Sequence, residues 1–124
     1  MSCLFQSLSY FLKIDDMSIR QKICDYLESN QEIIDGLDTK TVLDIEDPNY
    51  VRNMRSTTTW GGSIELAAAC NIWNIKINVY LHNRSNKVIE FLPKNGSYTR
   101  IANIIWYGNH YEPLTINVTY AKEA

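Results

Sequence analysis

Residues 64–73, IELAAACNIW, constrain this chain more than any other segment. Wound as a helix they leave little polar face, because Ala67, Ala68 and Ala69 run through the middle. A helix that is apolar almost all round has to be buried by the rest of the fold. The next seven residues alternate: Ile75, Ile77, Val79 and Leu81 are interleaved with Lys76, Asn78 and Tyr80. That period of two is the pattern of a half-buried strand. A central helix running straight into a strand predicts a single α+β domain over residues 1–124, with helices packed on a sheet.

The flanking sequence fits that plan. In residues 3–12, CLFQSLSYFL, Leu4, Leu8, Phe11 and Leu12 recur at helical spacing. Ser18 and Gln21 read as a capping box opening a second helix, with Ile19, Ile23, Tyr26 and Leu27 on one face and Gly36 as its stop. Thr41 to Asp47 reads either way, and Pro48 interrupts any helix through it. Pro48 to Met54 begins a short third helix, residues 56–62 are loop, and Ser63 caps the apolar helix. After the first strand the chain turns at Asn83–Asn86, runs through a strand at Lys87–Leu92, and turns again at Asn95-Gly96. A third strand spans Ile101–Tyr107 and ends at Gly108-Asn109. Leu114, Ile116, Val118 and Tyr120 alternate in a last one. Short connections favour antiparallel pairing, so the sheet is expected to be small and mostly antiparallel.

With 124 residues, 45% of them apolar, the chain can bury one real core without disulfides or a metal. The net charge of −2 provides no basic footprint for nucleic acid. No apolar run is long enough to cross a membrane. The three cysteines, Cys3, Cys24 and Cys70, are odd in number and widely spaced, which argues against a disulfide framework or a zinc site. The N-terminal residues do not read as a secretory leader. The expectation is therefore a monomer in a reducing compartment: the cytoplasm, with the nucleus or a host cytoplasm as variants. On that basis the Asn-x-Ser/Thr tripeptides at Asn83, Asn95 and Asn117 are chance.

Few residues can do chemistry. A thiol of pKa about 8.5 needs a partner to react at neutral pH, and the chain has two histidines, His82 and His110. Cys3 stands where a helix begins. The positive end of the helix dipole and the free N–H groups there favour a thiolate and can hold an oxyanion. Cys3 also reads as an incidental cysteine near a terminus. Cys24 and Cys70 lie inside helices as small core residues. His110 lies in a turn between strands, in NHYEP, where scaffolded loops carry functional groups; His82 reads as a solvated histidine at a hairpin tip. Glu112 falls on the same side as His110 if the segment is extended, within reach of the imidazole Nδ1–H. It reads equally well as a solvated charge beside Pro113.

Cys3-Leu4-Phe5-Gln6-Ser7-Leu8 resembles the nucleophile segment of the OTU (ovarian tumour) cysteine proteases. The similarity continues in order through Ile19-Arg20-Gln21 to Tyr26-Leu27, Tyr50, Met54, Trp60-Gly61-Gly62, Glu65-Leu66, the Ile75–Tyr80 strand and Asn109-His110-Tyr111-Glu112. The resemblance implies a papain-like fold and a deubiquitinase. Cys3 would attack the carbonyl after the C-terminal glycine of ubiquitin or a ubiquitin-like protein, His110 would act as base and then acid, and Glu112 would orient His110. It implies no metal or cofactor, and ubiquitin or ubiquitin-like conjugates as partners. Trp60, Gly61 and Gly62 would be mainly structural, the glycines making the tight turn and Trp60 packing beside the central helix, with a secondary role, shared with Asn109, in shaping the channel for the substrate tail. The family's Asp-Gly-Asn before the nucleophile is absent from this chain, where only Met1-Ser2 precede Cys3, so either Glu112 supplies the acid, or the chain is a fragment of a longer protein truncated at its N-terminus, or activity is weak or lost. That departure keeps a second reading alongside the enzyme: a catalytically impaired OTU-like domain that binds ubiquitin or another protein. A third reading is an assembly domain sharing only the architecture.

Overall fold

The computed structural model describes residues 2–29, 31–33, 39–82 and 87–115. Five helices precede or flank a four-stranded sheet: α1 Cys3–Leu12, α2 Asp16–Glu28, α3 Thr39–Glu46, α4 Tyr50–Met54 and α5 Ser63–Trp73, then β1 Ile75–Leu81, β2 Val88–Phe91, β3 Arg100–Trp106 and β4 Tyr111–Pro113. The α+β class read from the sequence is the fold observed. The apolar helix is α5, and Leu66, Ala68, Ala69 and Cys70 are all buried at 0–1% exposure. The alanines let it pack against both α2 and β1.

The ends of the helices differ from expectation. Asp15, not Ser18, caps α2, and its carboxylate accepts from Ser18 N–H at 2.9 Å and from Ser18 Oγ at 2.8 Å. Asp is as good a cap as Ser, and from one turn earlier its side chain satisfies one of the orphan amides, Ser18 N–H. Gln21, the other half of the expected box, is used elsewhere, donating to Arg55 O at 3.0 Å. The same displacement occurs at α5. Gly62 is its cap residue and Ser63 its first helical residue, while Glu65 Oε1 reaches back to accept from Gly62 N–H at 2.7 Å. The ambiguous segment before Pro48 is helical, as α3, so the short helix after it is α4 rather than the third. Gly36, the Asn83–Asn86 turn and Ile116, Val118 and Tyr120 lie outside the described residues. Leu114 follows β4, and its N–H bonds Asn103 O at 2.8 Å.

The sheet order is β2-β1-β3-β4. The outer pairs are antiparallel, as expected from short connections, but the central pair β1·β3 is parallel, with Ile75 opposite Arg100 and Leu81 opposite Trp106. The reason is the path of residues 92–99. A turn at Pro93–Gly96, with Gly96 at φ 78°, leads the chain back to the start of β1, where Thr99 N–H bonds Asn74 O at 2.9 Å. From there β3 must run beside β1 in the same direction. Ile75, Ile77 and Val79 of β1 and Ala102 and Ile104 of β3 join the helices in one core. Tyr80, a polar position in the alternation, is nevertheless buried beside its register partner Ile105 on the far face.

Candidate active site

The site is built where the first helix meets the last hairpin. Tyr107 N–H bonds His110 O at 3.0 Å, closing a two-residue loop of Gly108 and Asn109. Gly108 takes φ 95°, the glycine-first pattern of a type II′ hairpin turn. This tight turn fixes which residues face each other: Tyr111 pairs with Trp106 and Glu112 with Ile105. The N-terminal end of α1 packs on the outer edge of β4. There the Tyr111 amide turns away from β3 and donates to Cys3 Sγ at 3.4 Å. An outward-facing amide on an edge strand needs a partner, and the thiol supplies one. The folding of the chain thus carries Cys3 to within one residue of His110 along the strand.

The imidazole itself is turned to other partners. His110 Nε2 lies 2.9 Å from Glu112 Oε2, and Nδ1 lies 3.1 Å from Asn109 Oδ1. The expected link to Glu112 forms, but through Nε2 rather than Nδ1. Nδ1 is close to the main chain, where the short Asn109 side chain reaches it, and the longer Glu112 reaches the outer nitrogen. Both nitrogens are engaged, and neither engages Cys3. The ring also stacks on Tyr107, with centroids 4.9 Å apart at 17°. Tyr107 is in turn 4.8 Å from the ring of His82. His82, read as a plain surface residue, is exposed but belongs to this cluster.

The Trp60-Gly61-Gly62 segment lies across the start of α1. A Cβ at Gly61 would sit 2.7 Å from Leu4 Cδ2 and 2.9 Å from Phe5 Cζ, so only glycine lets the main chain come this close. Trp60 is 48% exposed beside it. Gly62 is held by Glu65, a fully buried carboxylate that also accepts from Tyr50 Oη at 2.6 Å. Burial raises the Glu65 pKa, opposed by those two hydrogen bonds. On the other side Arg20, buried to 1% exposure, donates to Met54 O at 2.8 Å, Thr59 O at 3.0 Å and Ser2 Oγ at 3.3 Å. Its guanidinium lies 4.3 Å over the Phe5 ring, and burial lowers its pKa. Arg20 therefore ties the loop ahead of Trp60 to the residue just before the thiol. Sequence reading passed over Arg20 as a functional position, yet it left a signal. On α2 it falls in line with Cys24 and Leu27, a charge on the buried stripe.

Cys3 is half-buried, whereas the other two thiols are buried. Burial pushes Cys24 up to about 11 and Cys70 up to about 12, so both stay protonated at neutral pH. Tyr111, beneath the site, is raised by burial and by the neighbouring Cys3. A groove of about 510 Å³ opens beside the hairpin, with Leu66, Val79, Phe91 and Trp106 among its apolar walls and His82 and Tyr107 at its rim. Among the described residues no group of three or more His, Cys, Asp or Glu side chains is arranged to hold a metal. No helix there is long and apolar enough to cross a membrane.

Comparison with known proteins identifies the family and the fold. The profile of the OTU-like cysteine protease family matches residues 2–111. Ubiquitin thioesterase otu2 of Schizosaccharomyces pombe is 29% identical over 129 residues, covering 91% of this chain and 42% of that protein. The chain spans less than half the length of each curated relative it matches. Among solved structures, an ovarian tumour domain in complex with ubiquitin superposes with a TM-score of 0.72 at 22% identity, covering 90% of this chain and 62% of that one. The viral OTU domain protease from Dera Ghazi Khan virus gives a TM-score of 0.68 at 23% identity, with 90% and 72% covered. These likenesses establish the fold.

Proposed function

From the premise that the chain belongs to the OTU-like cysteine protease family, we propose that it is a cysteine-dependent deubiquitinase, cleaving after the C-terminal glycine of ubiquitin or a ubiquitin-like protein. Cys3 is the nucleophile, His110 the base and then the acid, and Glu112 the group that orients His110. The observation that supports this reading is the Tyr111 N–H to Cys3 Sγ contact, which ties the thiol to the residue between His110 and Glu112.

In this mechanism His110 takes the thiol proton and Cys3 Sγ attacks the carbonyl carbon of the substrate glycine. The oxygen of the resulting tetrahedral intermediate is stabilised by N–H groups in the first turn of α1, which have no helical partners. His110 then gives its proton to the leaving amine, and water hydrolyses the thioester by the reverse sequence. Glu112 at Nε2 leaves Nδ1 as the nitrogen to face the thiol, once it parts from Asn109. The apolar groove beside Tyr107 suits an extended peptide tail, with Trp60 and Gly61 bordering its approach to α1. No cofactor takes part, and a reducing compartment such as the cytoplasm suits a free thiol.

The test is a ubiquitin probe carrying a C-terminal electrophile, with the adduct located by mass spectrometry. The expected result is labelling at Cys3, lost in Cys3→Ala and His110→Ala and kept in Cys24→Ala. Folded protein that labels with neither ubiquitin nor ubiquitin-like probes would refute the reading. The engagement of both His110 nitrogens away from the thiol favours a second one, an impaired OTU domain that binds ubiquitin without cleaving it. That reading gives saturable ubiquitin binding with no adduct.

A further inference from the structure

We propose that Tyr107 is a positioning residue for this reaction: it holds His110 in a resting orientation away from Cys3, and a substrate tail in the adjoining groove frees it. The inference rests on the deubiquitinase reading for the identity of the substrate, but its structural basis is separate. Tyr107 and His110 flank the Gly108–Asn109 loop and are joined by the Tyr107 N–H to His110 O bond. Residues facing each other across a hairpin bring their side chains together on one face. The two rings meet nearly parallel, 4.9 Å apart at 17°. Three restraints thus act on one imidazole: the stack, Asn109 on Nδ1 and Glu112 on Nε2.

A base held this way cannot take a proton from Cys3 until the ring turns. Glu112 can follow as the orienting partner, but the stack and the Asn109 contact must break. Of the three restraints, Tyr107 is the one whose residue lines the groove. It is 38% exposed, it lines the groove together with Gly108, and its other side is against His82. A peptide lying on the groove wall touches Tyr107 before it reaches the thiol. Gly108, at φ 95°, puts the most permissive residue of the loop next to Tyr107, in the two-residue loop that leads to His110. The coupling therefore runs from groove to Tyr107 to His110, and the cost of turning the base falls on binding rather than on the chemical step.

The experiment uses iodoacetamide, which is too small to need the groove. Alkylation of Cys3 in the full chain is followed from pH 5 to 9 by peptide mass spectrometry, for wild type, Tyr107→Phe, Tyr107→Leu, Asn109→Ala and Tyr107→Leu/His110→Ala. The titratable and charged groups around the imidazole are Glu112 on its own strand, Tyr107 and His82 across the hairpin, and Cys3 and Tyr111 at the α1 contact; these stay in place in Tyr107→Phe apart from the phenol. Wild type and Tyr107→Phe, which keeps the stack, are expected to react at closely similar rates at each pH. Tyr107→Leu is expected to react roughly 2- to 12-fold faster at pH 7, the Boltzmann factor of one aromatic stack, and the gain should vanish in the double variant. A merely structural role for Tyr107 predicts no His110-dependent gain. Should Tyr107→Leu not fold, Asn109→Ala carries the same expectation.

Wild type already showing a reactive plateau near pH 6, or no gain in either Tyr107→Leu or Asn109→Ala, overturns the proposal. The ubiquitin probe separates the two ideas. Labelling by the probe without the iodoacetamide contrast removes the role of Tyr107 and leaves the deubiquitinase reading. The contrast without probe labelling does the reverse: it keeps the restraint on His110 and removes ubiquitin as what releases it.

Discussion

Replacing Gly61 with alanine puts a methyl group 2.7 Å from Leu4 Cδ2 and 2.9 Å from Phe5 Cζ. Neither neighbour has room to retreat. Leu4 is 1% exposed and Phe5 0%, and the Phe5 ring is held from its other side by the Arg20 guanidinium at 4.3 Å. Forcing a methyl into a packed site of this kind costs about 1–3 kcal/mol. Alanine also restricts the unfolded chain, which returns about 0.4–1 kcal/mol. The net loss is then up to about 2.6 kcal/mol, and at roughly 4 °C per kcal/mol for a domain of this size the melting temperature falls by up to about 10 °C.

Thermal unfolding by circular dichroism measures this directly, and Gly62 provides the control. A Cβ at Gly62 would have only Glu65 Oε1 near it, at 4.0 Å, so Gly62→Ala is expected to cost less than Gly61→Ala. Trimming the obstacle should rescue the loss: Gly61→Ala/Leu4→Val is expected to be more stable than the sum of its single changes by at least ~0.5 kcal/mol. Because Leu4 adjoins Cys3, a displaced α1 also shifts the thiol from the Tyr111 amide and should slow probe labelling. A Gly61→Ala protein as stable as wild type, with no coupling to Leu4, would mean that the segment is not pressed on α1 as described.

Two further outcomes follow from the shifted thiols and from the α2 cap. At pH 8, iodoacetamide should modify Cys3 in the native protein and spare Cys24 and Cys70, whose thiols are 0% exposed and pushed up to about 11 and about 12; peptide mapping before and after denaturation checks this. Asp15 is held below its ordinary range by Ser18 N–H and Oγ, so its contribution to stability is complete above the ordinary carboxylate range and is lost as pH falls through the lowered value. Asp15→Ala should therefore lower the melting temperature at pH 7 and converge on wild type at strongly acid pH.

The elements that could be read from the sequence are those whose pattern has a local cause. The apolar α5 and the alternating β1 identified themselves, because burial on all sides and burial on one side leave different periodicities. The caps slipped by up to a turn because Asp15 and Ser18, like Gly62 and Ser63, are neighbouring residues that can all open a helix. Only the three-dimensional path of the preceding chain decides between them. The parallel pairing of β1 with β3 left no local trace. It follows from where residues 92–99 return the chain, and Thr99 bonding Asn74 is a contact between residues 25 apart.

Candidate residues could be named from the sequence, but not their arrangement. Cys3 and His110 stand out because cysteine and histidine are scarce, and Glu112 because it lies two residues from His110; in the structure Glu112 meets His110 and Cys3 meets the Tyr111 amide. What sequence could not supply is which nitrogen of His110 meets which partner, since that depends on side-chain reach across a hairpin. The same hairpin explains why the positions of Tyr107 and Asn109 matter. A two-residue loop puts residue 107 opposite residue 110 and leaves residue 109 beside its ring, whatever their identities. An aromatic at one position and an amide at the other then become restraints on the imidazole. A leucine and an alanine there would preserve the turn and leave the base free to meet the thiol. The difference between an assembled and a waiting site is therefore written in two side chains that touch neither the nucleophile nor the scissile bond.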